Sequence, residues 1–142
     1  MADHHQAGVA PASGTQDGPE FIGVALQVSV KGVNRCTDRA SSRAKIDENI
    51  RRIGEFTTTA ANFLRFFYGL PVRLVALPEY TLTGFPMRES VQEWRDRACL
   101  EQNGPEYEAL GKIAQANNLY LSGNVYEIDP HFPELHFQTC FI

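Results

Sequence analysis

Two apolar runs, FIGVALQVSV at residues 21–30 and VRLVAL at residues 72–77, are separated by a stretch with a different period. Between residues 44 and 67, the apolar side chains of Ile46, Ile50, Ile53, Phe56, Ala60, Phe63, Leu64 and Phe67 recur at steps of three and four. That spacing places them on one face of a helix, with Arg51, Arg52, Glu55 and Arg65 mostly off it. Three consecutive threonines, Thr57, Thr58 and Thr59, lower helix propensity in the middle, and packing is expected to override them. Gly69 and Pro71 end the helix. Strand, long helix, strand is a βαβ unit, which predicts parallel strands joined by a right-handed crossover. The nearly continuous apolar character of the first run predicts a strand buried on both faces.

The remainder follows the same alternation. Residues 78–104 read as a long loop with a short helix around residues 91–97. Pro105 and Glu106 open a helix with proline in its first turn and acid near its positive end. Leu110, Ile113 and Ala114 form its apolar face, and Asn117 and Asn118 end it. LYLSGNVYEI, residues 119–128, is a third strand, broken at Gly123 and Asn124. DPHFPEL is a turn-rich connection, and HFQTCFI opens a fourth strand in which the sequence stops. A chain that stops inside an apolar β run reads as the front part of a longer protein. Residues 1–20 are rich in Ala, Gly, Pro, Gln and Asp and read as a disordered tail. His4 and His5 within it are read as incidental.

With 142 residues the chain fits one domain, and a hydrophobic share of 43% and a charged share of 21% fit a soluble globular protein. The formal charge of −4 leaves no basic footprint for nucleic acid. Nothing approaches the length of a membrane span, so a cytoplasmic protein is expected. Three cysteines without a CxxC pair argue against a disulfide scaffold and a zinc finger, and read as reduced thiols of a cytosolic protein.

The chemical candidates are few. Glu79 follows Pro78 two residues past the end of the second strand, where open α/β sheets gather their ligand sites. Partly desolvated there, its carboxylate could act as a general base. Taken alone, Glu79 is more simply a surface glutamate or a helix-capping partner. Cys99, in the polar stretch RDRACLEQ, is read as part of a solvated loop despite Arg95 and Arg97 nearby. Cys140, within the fourth strand, is read as a small hydrophobe. Asp129, His131, Glu134 and His136 are too loosely spaced for a metal site and read as a surface connection. Trp94 and the phenylalanines of the long helix are assigned to the core. The phosphate-cradling, nucleophile-elbow and zinc-helix motifs are absent.

The order of these pieces resembles the nitrilase superfamily of carbon–nitrogen hydrolases, from Phe21 to the end. FIGVALQVSV followed by DENIRRI resembles the family's opening strand and helix. LVALPEYTLTGFP resembles its strand–Pro–Glu segment and is the most specific of the matches. GPEYEALGKIAQANNLYLSGNVYE resembles its helix–strand unit, and HFQTCFI stands where the family has a strand that carries Asn-Thr, with Gln138 in place of the Asn and Thr139 retained. The resemblance implies the N-terminal part of a four-layer α-β-β-α sandwich, truncated. It implies a Glu–Lys–Cys triad of which only the Glu, as Glu79, is present, with Tyr80 and Phe85 lining the substrate pocket or packing beneath the loop. Lys112 and Cys140 both precede the family positions of the Lys and Cys. It implies a small nitrile, amide or carbamoyl substrate, no cofactor and no metal, and homo-oligomers when full length. A lipoprotein acyltransferase is disfavoured, because no membrane segment is visible. Two other readings stand beside it: an inactive truncated α/β chain that acts as a binding or oligomerisation module, and an unrelated α/β binding module.

Overall fold

The βαβ unit is present, and it forms one side of a five-stranded, mostly parallel sheet. The computed structural model describes residues 18–142; most of the expected tail, with His4 and His5, lies outside the described residues. In chain order the elements are β1 (Ile22–Ala25), α1 (Arg39–Tyr68), β2 (Val72–Ala76), α2 (Val91–Ala98), β3 (Leu100–Glu101), α3 (Pro105–Asn117), β4 (Tyr120–Ile128) and β5 (Phe137–Phe141). β1 pairs with β2, β2 with the first part of β4, and β3 with its end, all in parallel. β5 runs antiparallel to β4, so Glu127 is flanked by Leu100 on one edge and Phe137 on the other.

α1 starts five residues before the expected apolar face. Asp38 caps it: Oδ1 accepts from Ser41 N–H at 2.7 Å, and Ser41 Oγ accepts from Asp38 N–H. Such a reciprocal cap contributes about 1 kcal/mol. The helix ends at Gly69, which takes a left-handed conformation (φ 66°). Its buried stripe is Ser42, Ile46, Asn49, Ile50, Ile53 and Thr57, so the threonine run is indeed accommodated. Each buried isoleucine contributes roughly 1.5–3 kcal/mol.

The second half of the helical face departs from expectation. Phe56, Phe63 and Phe67 are exposed, and Phe66 is 85% exposed. The inward stripe continues instead through Ala61 and Leu64, which pack against the core. The phenylalanines lie on the adjoining outer stripe, where Phe63 and Phe67 hold their rings 4.5 Å apart.

Two strand expectations also change. β1 is four residues long and half-buried on alternate residues, not buried on both faces. It pairs only with β2 among the described strands, so one face and one edge stay uncovered. β4 is not broken at Gly123 and Asn124; those residues pair with Phe141 and Cys140, and the ladder runs on. Gly123 is where the Phe141 ring crosses the strand: a Cβ there would lie 2.9 Å from Phe141 Cζ.

Trp94 of α2 is 1% exposed and meets Tyr126 of β4 edge-on at 5.7 Å, as a core residue should. Among the described residues, no helix is long and apolar enough to cross a membrane.

Candidate active site

The loop that follows β2 is built from hydrogen bonds to distant parts of the chain. Leu77 N–H still donates to Ser122 of β4, at 2.8 Å, so the strand geometry carries up to Pro78. The chain then turns sharply. Tyr80 has a positive φ of 55°, a conformation that costs a bulky residue energy and persists only where its surroundings enforce it. Here they do. Tyr80 N–H donates to Asn124 Oδ1 at 2.9 Å, and its carbonyl accepts from Gly84 N–H at 2.8 Å. Its ring stacks on Tyr126 at 5.4 Å with 9° between planes.

The far side of the turn is pinned to α1. Buried Asn49 donates from Nδ2 to the carbonyls of Lys31 and Leu82, at 2.8 and 2.7 Å. Thr81, Leu82 and Thr83 are consequently buried beneath the turn. Gly84 (φ 72°) lies so close to the segment after β1 that a Cβ would stand 3.0 Å from Gly32 Cα. Asn34 holds the exit, donating from Nδ2 to the Phe85 carbonyl at 3.0 Å and to Glu89 Oε1 at 3.1 Å. Partial burial opposes the charge of Glu89. The N–H groups of Arg88 and Met87 and the Asn34 amide outweigh it and hold the carboxyl down at about 2.

On this scaffold Glu79, Tyr80 and Phe85 line one cleft of about 410 Å³, together with Val30, Asn34 and Met87. The three residues singled out in the sequence are thus brought together. Tyr80 both lines the cleft and packs beneath it. Glu79 is exposed, which corrects the expectation of a partly desolvated carboxylate. Gln138 of β5 donates from Nε2 to Glu79 Oε1 at 3.2 Å and to Tyr80 Oη at 2.8 Å.

The other candidates lie apart from this cleft or behave differently from expectation. Cys99 is not on a solvated loop. It is fully buried beside β3, and burial pushes its thiol up to about 12, with Arg95 and Arg43 only partly opposing the shift. Cys140 is exposed rather than packed as a small hydrophobe, and Cys36 is half-buried. His131 and Asp129 hold each other at 2.9 Å, while His136 turns in against the Tyr126 ring at 5.4 Å. Burial and the Arg95 charge lower the His136 pKa, so its neutral form is favoured.

Several polar contacts are not apparent from the sequence. Buried Glu127 accepts from Tyr107 Oη and from Thr139 Oγ1, the latter at 2.8 Å. Buried Glu106 pairs with Arg43 at 3.0 Å, and Arg43 also donates to the Cys99 carbonyl at 2.6 Å. Asn34, Asn49, Asn124 and Gln138 all act on the Glu79 loop from remote elements. Only the Asn of DENIRRI and the Gln-Thr of HFQTCFI carried any signal.

A comparison with protein-family models finds none that matches the chain, and a comparison with curated proteins finds no match.

Proposed function

We propose that this chain carries the general-base carboxylate of a hydrolase that acts on non-peptide carbon–nitrogen bonds in nitriles, amides or carbamoyl compounds. Glu79 is that base. The observation that supports the reading is its placement: a carboxylate just past the end of a parallel strand, in an aromatic-walled cleft, on a turn held in a strained conformation. In this chemistry Glu79 removes the proton from a thiol. The thiolate adds to the carbon of the nitrile or amide, and a cation with a backbone N–H stabilises the charge on the departing π electrons. From an amide or carbamoyl substrate, an amine or ammonia leaves with the proton returned by Glu79, and one water, activated by the same carboxylate, releases the acid; a nitrile takes two waters, the first adding to the thioimidate before ammonia leaves and the second releasing the acid.

The residues lining the cleft include neither cysteine nor lysine. In this proposal a thiol and a cation that are not among the residues lining the cleft complete the triad. The four-layer sandwich belongs to the same proposal: a second sheet would cover the exposed side of Glu79. The test reads the coding sequence past the Ile142 codon and assays ammonia release. A lysine and then a cysteine, each after a further strand, with turnover abolished by Glu79→Gln, are expected. The 142-residue chain alone is expected to release no ammonia.

A second reading has its own support. Phe63, Phe66, Phe67 and Tyr68 are each more than half exposed on one helix, and patches of this kind mark interaction sites. A stop codon directly after Ile142, with no turnover, would favour an inactive α/β chain that acts as a binding or oligomerisation module.

A further inference from the structure

We propose that Gln138 is a positioning residue for Glu79, a role that rests on reading Glu79 as the base. An exposed glutamate on a loop samples several rotamers, and ordering it costs side-chain entropy. General-base catalysis needs one of those rotamers, because the proton must be taken along a defined line. Among the described residues the Glu79 carboxylate has one side-chain partner, and it is Gln138.

The geometry makes that contact a bridge. A carboxylate only accepts hydrogen bonds, so the atom of Gln138 that faces Glu79 is the amide nitrogen. Its two protons are divided between Glu79 Oε1 and Tyr80 Oη, at 3.2 and 2.8 Å. Tyr80 is itself immobilised by Asn124 on its backbone and Tyr126 on its ring. Tyr126 in turn pairs with Gln138 across the β4–β5 ladder. Glu79 is therefore fixed by reference to the sheet, not to its own loop. The bridge occupies Oε1 and leaves Oε2 without a protein partner among the described residues, as the oxygen available to receive a proton.

The length of the side chain matters. Asparagine at this position is one methylene shorter and cannot keep both contacts. Gln138→Asn should break the bridge while leaving β5 paired, and Gln138→Leu should remove it with similar volume.

The first readout uses the 142-residue chain. Carbon-13 relaxation at Glu79 Cγ should show an ordered side chain in the wild type and a freely averaging one in Gln138→Leu and Gln138→Asn. Unchanged order in both variants would overturn the proposal. The second readout uses the active enzyme that contains this chain. Each variant should lower kcat about 10–100-fold with KM little changed, the cost of misplacing a reacting group. Loss confined to KM, or none at all, would overturn the positioning role and leave Glu79 as base. If Glu79→Gln itself kept its rate, the base assignment would fall, and the positioning role with it, whatever the relaxation data showed.

Discussion

Asn49 Nδ2, in the first half of α1, lies 2.7 Å from the carbonyl oxygen of Leu82, three residues past Glu79. The same amide reaches the Lys31 carbonyl at 2.8 Å. One buried side chain thus joins the long helix, the segment after β1 and the turn that carries the candidate base. Asn49→Ala would leave two carbonyls short of a donor beneath the loop. A loss of about 1–3 kcal/mol is expected, read as a lower urea midpoint with unchanged slope. A wild-type midpoint would show that the loop is held by other means.

The thiols separate by exposure. Cys140 is exposed, Cys36 half-buried, and Cys99 buried with its thiol pushed up to about 12. A disulfide reagent at neutral pH should therefore modify Cys140 first, and Cys99 only as fast as the fold opens. Rapid modification of Cys99 in the native protein would contradict its burial.

Glu89 links the loop to acid. Its folded value of about 2 lies below the ordinary 4.5. The unfolded chain therefore binds a proton more readily, and stability rises with pH across that interval. The contribution of Glu89 is present above about pH 4.5 and is lost as pH falls towards 2. Glu89→Gln should be less stable than wild type at neutral pH, and the gap should close between pH 4.5 and 2. Urea unfolding followed by the fluorescence of Trp94, the sole tryptophan, measures it. A gap independent of pH would contradict the assignment.

The outer aromatics of α1 contribute little to the fold. Phe66→Ser should change stability by no more than about 0.5 kcal/mol, since the side chain is 85% exposed. Its effect should appear in self-association, measured by sedimentation. A large loss of stability would place Phe66 in a packed environment.

These outcomes follow from features of unequal visibility in the sequence. The βαβ unit was readable because helical and strand periods are local: Ile46, Ile50 and Ile53 announce their face by spacing alone. The outer phenylalanines share the same spacing to within one helical step, so the pattern could not say which stripe the sheet would cover. Asp38 and Ser41 form a helix cap that apolar spacing does not mark, so α1 begins before its apolar face. Cys99 looked solvated because its neighbours are charged, whereas its burial comes from packing beside the short strand β3. Glu79 was legible because Pro78 marks a strand end. Its partners were not. Gln138 and Asn124 are 59 and 44 residues from the groups they hold, and only the pairing of β4 with β2 and β5 brings them there.

The central claim is that Glu79 moves the proton. The direct measurement is the rate of ammonia release from a nitrile, amide or carbamoyl substrate by the enzyme that contains this chain, wild type against Glu79→Gln. The variant removes the base and keeps the shape and the Gln138 contact distance. The account predicts a fall of about 10²-fold or more with an unchanged circular dichroism spectrum. A Glu79→Gln enzyme that turns over at near the wild-type rate would contradict it.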